Sequence, residues 1–186
     1  MQNNLNKHRP FHIYDGYCYA IATRTYEKKN YFATDERKRI FIKKMNSLGK
    51  KFDIGIIAWT LLPNHHHAII RLPEQKFKEG RPVLSEYMRQ LHSQTASLLN
   101  QIDNTPGRKV WYQYWDYCIR TKTAFWMHFN YIVQNPLKHG LVPSLYEAYD
   151  YKFSSNPIWL ERFGMDGLWE SFVRYPVTDW TPDECG

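Results

Sequence analysis

The pattern of apolar and polar residues along the chain predicts four strands and three helices. Four stretches rich in aromatic and β-branched residues have the pattern of strands: residues 17–25, 52–62, 65–72 and 109–119. Three others repeat apolar residues at helical spacing: residues 35–49, 83–99 and 123–134. Asp35 is the expected cap of the first helix and Gly49 its expected end. Pro136 is expected to stop the last helix, because the residue before a proline avoids the α region.

The order of these elements, β-α-β-β-α-β-α, predicts an α+β fold of the ferredoxin-like type. We expect a four-stranded antiparallel sheet with helices packed on one face, formed by residues 1–143. Residues 74–81 are charged and contain glycine, which predicts a solvated loop. Beyond Gly140 the chain is rich in Tyr, Trp, Pro and Gly, so residues 144–186 are expected to be an irregular C-terminal extension packed on the domain.

Composition and charge narrow the class of protein. The 186 residues are 43% hydrophobic, carry a net charge of +7 and have 3 cysteines. An excess of positive charge favours polyanionic partners, since counterions released from phosphates drive association. No apolar run approaches membrane-spanning length, the N-terminus lacks the apolar core of a secretion signal, and the cysteines form no CxxC pair. We therefore expect a cytoplasmic protein with reduced thiols and no membrane partner.

Three consecutive histidines, His65, His66 and His67, open the predicted third strand. Side chains alternate between the faces of a strand, so His65 and His67 project together while His66 projects away. Two imidazoles on one face can share a metal ion, but a third ligand must come from elsewhere. Zinc is one candidate, and a site that handles phosphate more often takes magnesium or manganese. The alternative is a polar turn whose histidines bond only to the backbone.

The last predicted helix carries Tyr131 and Asn135 one turn apart on the same face. A tyrosine beside an amide oxygen at this spacing can serve as a nucleophile next to a metal ligand. Its phenol is a poor nucleophile until a nearby cation favours the phenolate. Pro136 leaves open whether Asn135 is still helical, and Gln134 is the alternative ligand. Equally, Tyr131 could be one of fourteen tyrosines that simply fill the core.

These two motifs together resemble those of the REP-associated tyrosine transposases, a group within the HUH single-tyrosine transposases. The family pattern is an aliphatic strand, Pro-Asn and His-hydrophobic-His, followed later by Tyr-Ile-x-x-Asn-Pro, Gly-Leu and an aromatic-Ser-Ser element. The matching stretches are residues 59–70 (WTLLPNHHHAII), 131–142 (YIVQNPLKHGLV) and 151–155 (YKFSS). The resemblance runs from about Arg9 to Asn156. His66 departs from it, since the middle position is normally hydrophobic, and we expect this ring to be buried, neutral and partnered.

The resemblance implies metal-dependent cleavage and strand transfer of single-stranded DNA that carries hairpin-forming repetitive palindromic sequences. A divalent ion, Mg²⁺ or Mn²⁺, is expected at His65, His67 and Asn135, where it would polarise the scissile phosphate. Tyr131 is expected to attack that phosphate, leaving a 5′-phosphotyrosine and a free 3′-OH. Rejoining then needs no ATP, because the phosphotyrosine conserves the energy of the broken bond.

Basic side chains near this site are the expected contacts to the DNA backbone, namely Arg120, Lys122 and Lys138. The expected partner is single-stranded or hairpin DNA, bound by a monomer or a homodimer. Two other functions fit the same sequence. One is a catalytically silent, sequence-specific DNA-binding regulator derived from a transposase, and the other is a metal nuclease in which water attacks instead of tyrosine.

Overall fold

The computed structural model describes residues 17–74 and 82–177, which contain four strands and five α-helices. In chain order they are β1 (Cys18–Thr25), α1 (Asp35–Lys51), β2 (Gly55–Leu61), β3 (His65–Arg71), α2 (Val83–Ile102), β4 (Trp111–Ile119), α3 (Lys122–Lys138), α4 (Leu145–Tyr149) and α5 (Asn156–Arg174). A single 3-10 turn, Tyr26–Lys28, follows β1. Most of the predicted loop at residues 74–81 lies outside the described residues.

The four strands form one sheet in the order β2-β3-β1-β4, and every neighbouring pair is antiparallel. This order places the first and third strands at the centre, as the ferredoxin-like arrangement requires. The predicted α+β class and the four-stranded antiparallel sheet are therefore confirmed.

Helices cover both faces of the sheet, so the predicted packing on one face is wrong. Strand β1 explains why, because consecutive residues along it are buried. Tyr19 and Ile21 point into a core shared with α1 and α2, whereas Ala20 points into a second core shared with α3 and α5. Large side chains thus fill the first core, and alanine on the other face lets α3 approach the sheet closely.

The segment after residue 144 is also more regular than predicted, since it forms α4 and α5. Before α5 the chain runs beside β2, where the Leu61 N–H donates to Phe153 O at 2.9 Å and the Ser155 N–H to Trp59 O at 2.8 Å. Ser155 is the N-cap residue of α5, and a proline follows in the first turn of the helix. The composition of this region suggested irregular structure, but the order Ser-Asn-Pro is a helix start. The division into a domain at 1–143 and an extension at 144–186 stays a prediction.

Two predicted ends of α1 are wrong by one or two residues. Thr34, not Asp35, is the cap, and its hydroxyl accepts from the Arg37 N–H at 3.4 Å. The helix continues past Gly49 to Lys51. A Cβ at Gly49 would lie 3.0 Å from the Ile56 side chain, so this glycine allows β2 to approach the helix rather than ending it.

Helix α3 does not stop before Pro136 as predicted but continues to Lys138. The residues that follow satisfy its last carbonyl groups. The Leu141 N–H donates to Pro136 O and the Gly140 N–H to Leu137 O, both at 2.9 Å. This pair of bonds, with Gly140 at φ +66°, is a Schellman motif. Pro136 lacks a backbone N–H donor, but its carbonyl oxygen still accepts a hydrogen bond from Leu141, so the last turn of α3 still forms.

None of the helices within the described part of the chain is long and apolar enough to cross a membrane.

Candidate active site

Strand β3 presents His65 and His67 towards helix α3 and His66 towards the opposite face, as strand alternation predicts. His67 lies beside Ala22 of β1 and is 5% exposed, while His65 is only half-buried. The two rings lie edge to face, with their centroids 5.3 Å apart. A tight turn fixes the start of this strand, because the Leu62 N–H donates to His65 O at 2.9 Å.

His66 is buried and neutral as expected, but the expected partner is absent from the described residues. Its ring packs against Phe41, 4.7 Å between centroids, and against Trp111 at 6.0 Å. Neither ring nitrogen has a hydrogen-bond partner within residues 17–74 and 82–177. Burial, reinforced by the nearby His92 and His65, holds the pKa of His66 well below its ordinary value. The ring thus fills an aromatic core at the position where the family that the motifs resemble normally has a hydrophobic residue.

Asn135 meets the histidine pair because α3 stays helical through Pro136. Its Oδ1 atom lies 3.1 Å from Nε2 of His65, and the residue is fully buried. Its Nδ2 atom has no hydrogen-bond partner in the described part of the chain. The carbonyl oxygen is therefore the end of this amide directed at the histidines, which favours Asn135 over the alternative ligand, Gln134.

An amide oxygen lies beside each ring nitrogen of His65. Its Nδ1 atom lies 2.6 Å from Oδ1 of Asn64, an oxygen that can accept a proton donated by Nδ1. In that tautomer the lone pair of Nε2 and those of Asn135 Oδ1 would point to the same place, where one ion could bind both atoms. Two ligands held at about 2.1 Å and at right angles around one ion lie about 3 Å apart, which matches the observed 3.1 Å. Asn64 orients the ring in the way that outer carbonyl groups orient metal-bound histidines.

The donor set fits a divalent ion that keeps positions open for water or phosphate oxygens. Among the residues that the structure describes, no three His, Cys, Asp or Glu side chains are grouped to hold an ion. The amide oxygen of Asn135, 3.1 Å from His65 Nε2, is the candidate third ligand beside His65 and His67. Burial, and then the neighbouring His65, hold the pKa of His67 well below its ordinary value, so its imidazole is neutral, as metal binding requires.

Tyr131 lies directly against the histidine pair. Its ring is edge to face with His67, 5.0 Å between centroids, and the ammonium group of Lys138 lies 5.1 Å from the centre of the Tyr131 ring. The side chain is only 2% exposed. Helix α3 therefore brings together the predicted nucleophile, the predicted amide ligand and one of the predicted DNA contacts.

The cluster opens to solvent through a pocket of about 230 Å³ lined by Arg24, Lys28, Asn64, His65 and His139. The ring of His139 lies 4.4 Å from that of His65, and Arg24 is the cross-strand partner of His65. Two cationic residues and two histidines line this pocket, and this positive charge favours an anion. It is smaller than the roughly 300–1,000 Å³ of drug-sized ligand sites, so its size suits a phosphate group rather than a whole nucleoside.

The structure separates the other two predicted DNA contacts from this cluster. Lys122 begins α3 and Lys138 ends it, so about 24 Å of helix lie between them at 1.5 Å per residue. Arg120 and Lys122 are exposed at the far end, and their role stays a prediction. Sequence reasoning missed Arg24 altogether, because only the β1–β3 register brings it beside His65. Asn64 and His139 stood inside the quoted motifs without an assigned role.

Known proteins similar to this chain are transposases. No protein-family model matches it. The chain is 31% identical over 135 residues to the REP-associated tyrosine transposase of Escherichia coli strain K12, over 72% of this chain and 66% of that protein. A relative from Haemophilus influenzae is 27% identical over 90 residues, 46% of this chain and 51% of the relative. The chain thus spans about two thirds of one relative and half of the other.

The fold matches a solved structure of a REP-associated tyrosine transposase bound to a REP hairpin. The TM-score is 0.67 at 22% identity, over 98% of this chain and 97% of that one. At this identity the likeness shows the fold alone, and the similarity to the Escherichia coli protein carries the relationship. With the two motifs meeting at one site of that fold, the chain belongs to the REP-associated tyrosine transposase family.

Proposed function

We propose that this chain cleaves and rejoins single-stranded DNA at hairpin-forming repetitive palindromic sequences, with Tyr131 as the nucleophile. The observation that carries the proposal is the position of the Tyr131 ring, 5.0 Å from that of His67 on a helix whose Asn135 oxygen lies 3.1 Å from His65. A core tyrosine has no need of such neighbours. The family relationship and a net charge of +7 support DNA as the substrate.

In the proposed reaction the phenolic oxygen of Tyr131 attacks the scissile phosphorus. A bond forms between this oxygen and phosphorus, the bond from phosphorus to the 3′ oxygen breaks, and the phenolic proton ends on the departing 3′-OH. Lys138, 5.1 Å from the Tyr131 ring, favours the developing phenolate. The products are a 5′-phosphotyrosine and a free 3′-OH, and attack by a 3′-OH on the phosphotyrosine reverses the step.

His65, His67 and the amide oxygen of Asn135 are the residues that would hold a divalent ion, Mg²⁺ or Mn²⁺. Bound there, the ion would supply positive charge to the non-bridging phosphate oxygens. The protein's own contribution is to keep the His67 imidazole neutral, because burial holds its pKa well below the ordinary value, and to orient the His65 ring through the Nδ1 contact to Asn64.

The proposal is tested by the covalent adduct. Wild type, Tyr131→Phe and His67→Ala are incubated with Mn²⁺ and a labelled hairpin oligonucleotide with single-stranded flanks, then separated on a denaturing gel. We expect an adduct with wild type, none with Tyr131→Phe and a severe loss with His67→Ala. Tyr146→Phe is the matched control, since this tyrosine is 69% exposed on α4, and it should behave as wild type. An adduct that persists in Tyr131→Phe rules out this nucleophile.

The burial of Tyr131 favours one alternative, a catalytically silent DNA-binding regulator, because its phenol is covered. Such a protein would shift the hairpin on a native gel and leave it intact with any divalent ion. A hydrolytic nuclease would cut the hairpin without an adduct and would keep its activity in Tyr131→Phe. Under the proposed function, DNA binding must expose the phenol, so Tyr131 should become more accessible to chemical modification of tyrosine when the hairpin is bound.

A further inference from the structure

Strand β4 carries an irregularity beside the candidate site. Thr23 of β1 pairs with Tyr114 and Thr25 pairs with Trp111, so β4 has one more residue than β1 over this stretch. A bulge of this kind turns the following side chains to the other face of the sheet. Tyr112 would otherwise face away from Trp115, and the bulge brings their rings to 6.2 Å between centroids.

The two rings lie on the active-site face and close to the histidine pair. Trp115 pairs with Ala22, which pairs in turn with His67, so these three residues form one row across β4, β1 and β3. Strands are 4.7–4.9 Å apart, which places the Trp115 backbone about 10 Å from that of His67. Trp115 and Tyr112 are both only half-buried.

Positive charge accompanies the rings. The guanidinium carbon of Arg24 lies 4.9 Å from the centre of the Tyr112 ring and 5.4 Å from that of Trp115. The ammonium group of Lys109 lies 5.5 Å from the centre of the Tyr112 ring. Arg24 also lines the anion pocket beside His65. The phosphate pocket and the aromatic pair are therefore one continuous surface, joined by this arginine.

We propose that Tyr112, Trp115 and Arg24 bind an unpaired nucleotide next to the scissile phosphate, with its base stacked on the rings and its phosphate in the Arg24 pocket. This rests on the proposed function for its substrate, single-stranded DNA. Aromatic rings beside a basic groove are the features that bind unpaired bases, which offer a free face to stack. A base-paired stem hides those faces, so the surface recognises the flank of the hairpin.

The test measures binding without chemistry, in the Tyr131→Phe background with EDTA present. Fluorescence anisotropy compares three labelled hairpins: one with a single-stranded flank, one with a blunt end and one whose flank is abasic. Trp115→Ala should weaken binding of the flanked hairpin by about 5- to 160-fold, the range for losing one base–aromatic stack, and barely change binding of the blunt hairpin. Trp115→Phe should retain most of the affinity. Trp169→Ala, at a tryptophan 58% exposed on α5, is the matched control.

Arg24 has a separate readout, the dependence of affinity on salt. Arg24→Gln should reduce the slope of log affinity against log salt by about 0.7 for a single-stranded flank, the value for one lost phosphate contact, whereas Arg24→Lys should keep the slope.

An equal loss of affinity for flanked and blunt hairpins in Trp115→Ala would overturn the proposal. Equal binding of normal and abasic flanks by the Tyr131→Phe protein would also overturn it, even if the Trp115→Ala chain failed to fold. The two proposals can fail separately. If Trp115→Ala weakens only flanked hairpins but wild type forms no adduct, the nucleotide surface stands and the protein is a catalytically silent DNA binder. If wild type forms the adduct but Trp115→Ala shows no preference for flanked hairpins, the enzyme stands and the nucleotide surface does not.

Discussion

Replacing Asn156 by alanine and by aspartate tests how the helix that carries Tyr131 is held in place. Asn156 is fully buried at the start of α5. Its Nδ2 group donates to Val133 O in α3 at 3.1 Å and to Ala148 O in α4 at 2.7 Å. One amide group thus ties three helices together, and both of its bonds need a donor.

The expected costs follow from these two bonds. Asn156→Ala removes both and leaves a small cavity, which should lower the free energy of unfolding by about 2–3 kcal/mol. Asn156→Asp keeps the shape but directs carboxylate oxygens at two carbonyl oxygens. It should cost more at pH 7, about 3–5 kcal/mol, the range for a buried charge left without compensation. For a chain of this size each kcal/mol corresponds to about 2–4 °C in Tm.

Urea unfolding at pH 7, followed by tyrosine and tryptophan fluorescence, measures all three proteins. Asn46→Ala is the control, because Asn46 is exposed on α1, and it should change stability by less than about 0.5 kcal/mol. A second signature is pH. The folded pKa of the new carboxyl is raised above its unfolded value, so Asn156→Asp should lose stability as pH rises and approach wild type in acid.

The reasoning is refuted if Asn156→Asp is as stable as wild type at pH 7, or more stable than Asn156→Ala. Either result would mean that the amide group is not the donor joining α3 to α4.

Three further predictions concern pH, backbone strain and metal binding. His92 stacks on Trp111, and burial lowers its pKa to about 3. Its contribution to stability is therefore complete above pH 6.5 and lost as pH falls towards 3, by up to about 1.4 kcal/mol per pH unit. His92→Gln should make that slope less steep in urea titrations, while the buried His66 and His67 keep part of it; an unchanged slope would contradict the assignment. Gly140→Ala should lower the free energy of unfolding by about 1–2 kcal/mol, because φ is +66° and alanine is strained there. The added Cβ meets no atom within 4 Å, so this backbone strain is the whole of the expected cost. Gly140→Asn should cost less, and equal losses in thermal melts would point away from φ as the cause. Mn²⁺ at about 100 times its Kd should stabilise wild type by about 2.7 kcal/mol. Asn135→Asp should increase this stabilisation, because a carboxylate binds a hard cation more strongly than an amide does, and a Tm that Mn²⁺ leaves unchanged in both proteins would contradict the ligand set.

Local sequence patterns predicted the elements and the motifs well. The alternation along β3 correctly separated His66 from His65 and His67, because side-chain direction on a strand depends only on position. The spacing of Tyr131 and Asn135 placed both on one helix face for the same reason. These are short-range properties, and they survive folding unchanged.

What the sequence did not reveal depends on contacts between distant segments. The sequence did not predict that helices cover both faces of the sheet. Large and small residues alternate in β1, as at Tyr19 and Ala20, and this alternation resembles a strand with a single buried face. The rule that proline ends a helix failed at Pro136, since the Schellman bonds come from residues beyond it. Arg24 and Trp115 could not be assigned to the site, because strand register and the β4 bulge bring them there.

The pairing of Phe153 and Ser155 with β2 also matters while the chain is being made. The β2 residue Leu61 leaves the ribosome 92 residues before Phe153, which takes about 5–18 s at the usual 5–20 residues per second. During that interval the N–H and C=O groups along the outer edge of β2 have no hydrogen bonds to the later segment. An exposed apolar strand edge of this kind can pair with a strand of another chain. The edge of β2 is therefore covered only after the segment around Phe153 and Ser155 has been synthesised. A nascent chain that stalls before Phe153 would keep unpaired backbone groups at Trp59 and Leu61 of β2, which could pair with another chain; in the finished protein these groups are hydrogen-bonded.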